Sequence, residues 1–167
     1  MAYGQEIIVK VVESKDDLRK FIDFQYELYD GDCCFVPPLK GDIKKYVMGE
    51  TNCLNQSGPS VKIIALKDNK VCGRSLVGIN EHLNHYKGLK EGYISLFECI
   101  DNQTVANAMF DYARDWLRKR EMMLLKGPLS LPCGDDNRGV LLDNFKDPTL
   151  IMNTYNKSYY KDLFQKY

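Results

Sequence analysis

The chain has 167 residues, which is the size of one ordinary domain with a full hydrophobic core. Its 23 basic and 23 acidic side chains cancel, and the sequence contains neither a basic block nor a basic patch interleaved with aromatic residues. No apolar run approaches the ~20 residues that cross a bilayer, and the amino terminus lacks the apolar segment of a signal peptide. We therefore expect a cytoplasmic protein without nucleic-acid or membrane partners.

The six cysteines argue against a metal site or a disulfide framework. They form no C-x-x-C pair, and two of them, Cys72 and Cys99, fall inside predicted strands. This spacing favours reduced thiols and predicts no metal site. The six are Cys33, Cys34, Cys53, Cys72, Cys99 and Cys133.

The chain opens with a strand followed by a helix. Gln5–Val12 is rich in β-branched residues, which predicts a strand. Ser14 and Asp17 have the spacing of a capping box, and an apolar face with helical period follows them. A pair of prolines then predicts an extended segment, and a short helix is expected over Asp42–Met48.

A hairpin is expected next. Val61–Leu66 and Val71–Asn80 have strand composition and are joined by the turn Lys67–Lys70. Gly73 and Gly78 weaken the second strand and mark a candidate bulge. The polar stretch Glu81–Lys90 that follows predicts a loop.

The centre of the chain joins a strand to a long helix. Gly92–Ile100 is short and rich in aromatic and β-branched residues, which predicts a buried strand. Asp101, Asn102 or Thr104 is expected to cap the helix that follows. Such a turn directs backbone N–H groups at one spot, where an anion can bind, although a plain capped helix packed on a sheet is the simpler alternative. The apolar face of this helix consists of Val105, Met109, Tyr112, Ala113, Trp116 and Leu117.

The carboxy-terminal part predicts a strand, a long loop and a helix. Met122–Leu129 has strand character, and the turn-rich segment Leu131–Asn144 contains one brief expected strand at Val140–Leu142. A helix is predicted from Ser158 onward. The chain end cuts this helix short, so we expect either a fragment of a longer protein or an unusually short protein whose sheet edge needs a partner.

Three side chains stand out as candidates for acid–base chemistry. Glu98 lies inside an otherwise apolar strand, so it either faces water or faces a pocket, where burial would raise its pKa and make it a candidate base. Tyr159 and Tyr160 open the last helix. One ring is expected to pack on the core while the other hydroxyl points into a cleft as a candidate acid.

Two further motifs have simpler explanations. His82 and His85 have the spacing of a metal pair, but the predicted loop around them favours solvated histidines. The segment Cys133–Asp136 has the composition of a reactive thiol or cation site, and a surface turn is favoured there.

The order of elements and several motifs resemble a known family. The segments that carry the resemblance are FIDFQYELYDGDCCFVPPL at 21–39, GRSLVGINEHLNHY at 73–86 and FECIDNQTVANAMFDYARDWLRKR at 97–120. They are similar to the GCN5-related N-acetyltransferases (GNAT) and to a bacterial family of uncharacterised acetyltransferase-like proteins. The resemblance implies an α/β fold of the acyl-CoA N-acyltransferase type, with a mixed, mostly antiparallel sheet flanked by helices. It implies a single domain over residues 1–167 that lacks its last strands.

The resemblance also implies a thioester site at the end of the Gly92–Ile100 strand. In such enzymes the strand backbone pairs with the pantetheine arm of acetyl-CoA or another acyl-CoA, and the pyrophosphate rests on the N–H groups that open the next helix. An amine attacks the thioester, with Glu98 as base and Tyr159 or Tyr160 as acid. The implied cofactor-binding residues are Cys99, Ile100, Asn102, Gln103, Thr104, Val105 and Ala106.

One departure from the family pattern keeps other functions open. The corresponding loop, CIDNQTVA, has no glycine and carries the anionic Asp101. Acyl transfer from a thioester to an amine is the leading expectation. The alternative is a non-catalytic GNAT-like module that binds a ligand or partner. A third possibility is a scaffold half whose unpaired sheet edge is buried in a homodimer.

Overall fold

The computed structural model describes residues 6–51, 56–129, 139–150 and 153–167. In these residues a five-stranded sheet has its strands in chain order. The first four strands pair antiparallel, and the fifth runs parallel to the fourth. The predicted mixed, mostly antiparallel sheet is therefore confirmed. The strands are β1 (Ile8–Val11), β2 (Ser60–Lys67), β3 (Lys70–Gly78), β4 (Glu91–Cys99) and β5 (Leu124–Lys126).

Helices cover both faces of the sheet. The described helices of six residues or more are α1 (Lys15–Leu28), α2 (Lys40–Met48), α3 (Glu81–Lys87), α4 (Gln103–Arg118) and α5 (Tyr160–Gln165). Adjacent residues of β2 show the two layers, since Ile63 packs with α4 and Ile64 packs with α1. No helix among the described residues is long and apolar enough to cross a bilayer.

The start of α1 follows the local sequence. Ser14 Oγ accepts the backbone N–H of Asp17 at 3.0 Å, and the Asp17 carboxylate accepts the Ser14 N–H, which completes the predicted capping box. Lys10 on β1 donates to the same carboxylate at 2.8 Å. The apolar side of the helix then buries Phe21 and Ile22 against the sheet.

A bulge in β4 decides which way Glu98 points. Arg74 on β3 pairs with Glu98 and Leu76 pairs with Ser95, so β4 has one more residue than β3 between these pairs. Leu96 takes up the excess with a left-handed φ of 50°. Since side chains alternate along a strand, one extra residue reverses the alternation and turns Glu98 towards α1.

Among the described residues, the strand pairing on the outer edge of β4 covers its beginning. β5 pairs with Glu91–Tyr93, and beyond that Leu129 donates to the Ile94 carbonyl at 3.1 Å. The carboxy-terminal half of β4 therefore presents backbone groups to another element. That element is the start of α5, which approaches the strand at Cys99.

Two predicted segments differ from the structure. The expected loop at Glu81–Lys90 contains α3, which is capped by Asn80 and ends at Gly88 with a φ of 64°. Its polar residues are used internally, because Asn84 exchanges two hydrogen bonds with the backbone of Glu91. The brief strand expected at Val140–Leu142 does not form. There, the Asn156 amide binds the backbone N–H and C=O of Leu141 and takes the place of a strand partner.

Candidate active site

Glu98 lies in a buried network of hydrogen-bond donors. The carboxylate is 6% exposed, so the structure places it in a pocket and not on a solvated face of the sheet. Oε2 accepts the hydroxyls of Tyr160 at 2.7 Å and Tyr29 at 3.0 Å, and Oε1 accepts Gln25 Nε2 at 2.9 Å. With two donors on one oxygen and one on the other, Oε1 keeps a lone pair that can accept a further proton.

Arg74 supplies the positive charge next to this carboxylate. Its guanidinium is 0% exposed, donates from Nη1 to the Phe21 carbonyl at 2.9 Å and lies 5.0 Å from the Phe21 ring centre. Nη2 lies 3.9 Å from Glu98 Oε1, which is close for an ion pair but too long for a hydrogen bond. The two residues face each other because they are paired across β3 and β4.

The environment shifts the pKa of Glu98 in two directions. Burial has the larger effect and raises the pKa above its ordinary value, while the charge of Arg74 and the hydrogen bonds from Tyr160, Tyr29 and Gln25 lower it. Burial and the neighbouring carboxylate raise the pKa of the Tyr160 hydroxyl, which stays protonated. A carboxylate whose pKa is raised accepts a proton more readily near neutral pH.

Tyr159 and Tyr160 both bind the end of β4. Tyr160 accepts the backbone N–H of Cys99 at 2.8 Å while it donates to Glu98, and Tyr159 donates to the Cys99 carbonyl at 2.8 Å. The ring of Tyr160 also packs edge-on against Phe97. The prediction that one tyrosine packs in the core and the other reaches a cleft is therefore wrong, since Tyr160 does both.

A largely apolar cleft ends at this network. Its volume is about 490 Å³, and Glu98, Gln25 and Tyr160 line it on the side of the network. Further polar lining residues are Thr149, Asn153, Thr154, Tyr155 and Asn156. The rest of the lining is apolar and comes from the segment before α2, from α2 itself, from β4 and from the segment between β5 and α5. The apolar residues are Phe35, Val36, Pro37, Pro38, Ile43, Leu96, Phe97, Pro128, Leu129 and Leu150.

The amino terminus of α4 is already capped from within the chain. Asn102 Oδ1 accepts the backbone N–H groups of Thr104 at 3.0 Å and Val105 at 3.2 Å, and the Asn102 carbonyl accepts that of Ala106 at 3.1 Å. The Gln103 side chain donates to the Leu163 carbonyl of α5 at 3.0 Å. The predicted helix cap is thus Asn102, and the amides that would bind a phosphate have partners in the chain.

The other predicted cofactor-binding residues lie around the same turn. Ile100 donates its backbone N–H to the Cys72 carbonyl at 3.0 Å, and both backbone groups of Cys99 are bound by the two tyrosines. The side chains of Val105 and Ala106 are buried in the core below α4. The structure therefore brings the predicted residues together, with their backbone groups engaged inside the protein.

The weaker sequence motifs lie elsewhere. His82 and His85 are exposed on α3, which is a helix and not the predicted loop, and the described residues contain no cluster of three metal-ligating side chains. Among the described cysteines, Cys33, Cys34, Cys72 and Cys99 are free thiols. Cys53 and the segment Cys133–Asp136 lie outside the described residues.

Comparison with solved structures identifies the architecture. The aminoglycoside N-acetyltransferase AAC(6')-Iy in complex with CoA matches 78% of this chain and 81% of its own, with a TM-score of 0.53 at 15% identity. An aminoglycoside acetyltransferase from an uncultured soil metagenomic sample, in complex with sisomicin, matches 74% of this chain and 77% of its own, with a TM-score of 0.51 at 13% identity. The chain has the GNAT fold.

A third structure has the same fold in a longer chain. A tandem GNAT protein from the clavulanic acid biosynthesis pathway matches 77% of this chain and 39% of its own, with a TM-score of 0.57 at 15% identity. All three identities are too low to carry more than the fold. They confirm the GNAT-like α/β architecture that the sequence motifs implied.

Two curated proteins are similar to this GNAT-fold chain in sequence. Protein YghO of Escherichia coli (strain K12) is 26% identical over 157 residues, which are 92% of this chain and 39% of that protein. A bacterial ceramide synthase of Caulobacter vibrioides is 23% identical over 155 residues, which are 92% of this chain and 40% of that protein. The chain thus spans about two fifths of the length of these curated relatives. No family model matches the chain.

Sequence reasoning did not find three partners of Glu98 in this GNAT fold. Arg74 lies on β3, Gln25 on α1 and Tyr29 at the carboxy-terminal end of α1, all far from Glu98 along the chain. One available signal was Arg74 itself, because a charged residue inside the otherwise apolar run from Val71 to Ile79 requires a partner when the strand is buried. Tyr29 and Gln25 gave no comparable signal, since both fit an ordinary amphipathic helix.

Proposed function

We propose that this chain transfers an acyl group from a thioester to an amine, with Glu98 as the base. The observation that supports the proposal is a buried carboxylate with a free lone pair at the wall of a cleft. The GNAT fold of the chain is shared with acetyltransferases that include a CoA complex. Acyl transfer requires both features, a base and a cleft that admits the substrate, and Glu98 and the cleft beside it supply them.

The chemistry requires one proton to leave the amine. The amine nitrogen attacks the thioester carbonyl carbon, a C–N bond forms, and the C–S bond then breaks with the thiolate as leaving group. Glu98 Oε1 takes the proton that the nitrogen loses. The thiolate takes its proton from Tyr160, which lines the cleft, while Glu98 passes the amine proton back to the same hydroxyl, so that both side chains end as they began; Tyr159 is the other candidate acid.

The cleft supports an acceptor that carries an apolar chain. Among the described residues that line this largely apolar cleft, Glu98 is the carboxylate, and it suits an amine head group joined to a hydrocarbon. The relative named a ceramide synthase points in the same direction, since a ceramide is the N-acyl product of a long-chain amino alcohol. We therefore propose an amphipathic amine as the acceptor in preference to a polycationic sugar.

The donor site fits acyl-CoA only after a local rearrangement. A pyrophosphate on α4 needs the amides that Asn102 now accepts, and a pantetheine arm on β4 needs the Cys99 backbone that Tyr159 and Tyr160 now bind. Donor binding must displace these contacts. The same observation favours the second candidate function, a GNAT-like module that binds a ligand or partner without catalysis.

A turnover assay separates the two functions. Thiol release from acetyl-CoA and from palmitoyl-CoA is followed with a long-chain amino alcohol and with ethanolamine, which has the same head group without the chain. Enzymatic release with the long-chain acceptor, and little with ethanolamine, is expected. Absence of release with every pair of substrates, together with calorimetric binding of a ligand, would favour the binding module.

Donor binding has its own test at the turn before α4. Asp101 is exposed and anionic where a phosphate would lie, so Asp101→Asn is expected to tighten acyl-CoA binding and Thr104→Glu to weaken it about tenfold. Asp111→Asn, on the same helix but two turns away, is the matched control. Equal affinities for all three variants in a calorimetric titration would place the donor elsewhere.

A further inference from the structure

Arg74 is a fully buried cation whose hydrogen bond among the described residues goes to a backbone carbonyl. Its Nη1 donates to the Phe21 carbonyl, while Nε and Nη2 are buried with no hydrogen-bond partner. Burying a guanidinium with unpaired donors is costly, and an apolar residue of similar size would avoid that cost. Stability alone therefore gives a poor account of an arginine at this position.

The geometry puts the charge of Arg74 close to Glu98 without occupying its lone pair. Nη2 and Oε1 are 3.9 Å apart, while the oxygen's hydrogen bond comes from Gln25 at 2.9 Å. At this separation the two charges attract strongly in a buried site, but Oε1 stays available to another donor. Burial lowers the pKa of Arg74 and the adjacent carboxylate raises it, so each charge supports the other.

We propose that Arg74 is the positioning residue that keeps Glu98 ionised and its Oε1 lone pair directed at the cleft. The proposal rests on the acyl-transfer function above, because it explains how a buried carboxylate remains a base. The Phe21 carbonyl and ring hold the guanidinium in place from α1. Arg74 is not itself one of the residues that line the cleft and acts on it through Glu98.

The other groups that face Glu98 cannot supply this charge. Tyr29 and Gln25 approach from α1 and Tyr160 from α5, and all three are neutral donors. Tyr26 on α1 is also near Arg74, and burial raises its pKa, so it stays neutral too. In the described part of the chain, Arg74 is thus the cation that offsets the cost of burying Glu98.

The decisive measurement is the pKa of Glu98 itself. It is obtained from a pH titration by ¹³C NMR of protein labelled at the glutamate carboxyl carbon. The Glu98 signal is assigned from its loss in Glu98→Gln. Arg74→Met is expected to raise this pKa by about one to three units, while Arg74→Lys, which keeps a positive charge, is expected to keep it within about one unit of the wild type. Arg19→Met, on the exposed side of α1, is the matched control and should leave it unchanged.

The pH dependence of turnover gives a second readout. The acidic limb of kcat/KM is expected to move to higher pH in Arg74→Met by the same amount as the NMR shift, with Arg74→Lys close to the wild type. If Arg74→Met does not fold, as judged by near-UV circular dichroism, Arg74→Gln replaces it because it is neutral and polar. A Glu98 pKa that stays the same in a folded, neutral variant overturns the proposal.

The two readouts also separate this inference from the proposed function. The NMR titration requires no turnover, so a shifted Glu98 pKa in a protein without acyltransferase activity would support the role of Arg74 and refute the acyl-transfer function. The opposite result is also informative. If Glu98→Gln abolishes the acidic limb of turnover while Arg74→Met changes neither the Glu98 pKa nor the pH profile, the acyl-transfer function is supported and the role of Arg74 is refuted.

Discussion

The Tyr160 hydroxyl donates to Glu98 Oε2 at 2.7 Å and at the same time accepts the backbone N–H of Cys99 at 2.8 Å. One hydroxyl thus connects α5 to both the backbone and the carboxylate at the end of β4. The adjacent Tyr159 binds only the Cys99 carbonyl. The two tyrosines therefore form a matched pair for mutation, because they differ in their contact with the carboxylate.

Tyr160→Phe is expected to destabilise the fold more than Tyr159→Phe. It leaves the buried Cys99 N–H without a partner and removes a donor from Glu98, for which about 2 kcal/mol is expected, against about 1 kcal/mol or less for Tyr159→Phe. Urea unfolding followed by circular dichroism measures both. Equal losses would show that the contact with Glu98 contributes nothing beyond one ordinary hydrogen bond.

Glu98→Gln is expected to remove the base and keep the fold. The amide has the shape of the carboxylate but cannot take a proton, so kcat/KM should fall by about 10² to 10⁴. Because burial raises the pKa of Glu98, the activity of the wild type should increase with pH, and the pKa of this acidic limb should lie above the ordinary range of glutamate. A pH–rate profile of both proteins checks this, and a full rate in the variant would remove Glu98 from the reaction.

Asp17 is expected to make the stability of the fold depend on pH in the acidic range. The hydrogen bonds from Lys10 and then Ser14 lower its pKa in the folded protein well below 3.8. The stabilisation by ionised Asp17 is therefore fully present above the pKa that Asp17 has in the unfolded chain. It is lost as the pH falls through the lower pKa that Asp17 has in the folded protein. The difference in Tm between wild type and Asp17→Asn should be largest near pH 7 and shrink steadily below pH ~4. A difference that does not change with pH would contradict this assignment.

Gly92 on β4 is expected to accept a side chain only at a cost in stability. A Cβ there would overlap the Leu117 side chain of α4, whereas a Cβ on Gly41 in α2 would meet no atom within 4 Å. Gly92→Ala should therefore cost about 1 to 3 kcal/mol, while Gly41→Ala should stabilise slightly by removing a glycine from a helix. Thermal unfolding of both variants tests the packing of α4 on the sheet. Similar effects of the two changes would contradict it.

The described cysteines are expected to differ in reactivity. Burial raises the pKa of Cys72 to about 11 and also raises that of Cys99 and Cys34, while Cys33 is exposed. Iodoacetamide at pH 8 should thus label Cys33 well before the other three, because only the thiolate reacts. Peptide mass mapping over time gives the rates. Rapid labelling of Cys99 in the folded protein would mean that the α4 side of the sheet opens readily.

The local sequence determined the elements and the direction of the chain between them. Alternating β-branched residues give β1 and the β2–β3 hairpin, and the Ser14 capping box begins α1 where it was predicted. The switch from strand to helical period after Ile100 gives β4 and α4. These features depend on neighbours within a few residues, so they can be recognised from sequence alone. The helix α3 was missed because its polar residues bind the following strand and leave no apolar stripe.

Only the tertiary structure decided what Glu98 does. Its orientation depends on the extra residue at Leu96, and the reversed alternation cannot be recognised from sequence because β4 is buried on both faces. Its partners Tyr29 and Tyr160 are 69 and 62 residues away along the chain. The sequence shows a carboxylate in an apolar strand, but its burial, its pKa and its counter-charge follow from which distant side chains the packed sheet brings to it.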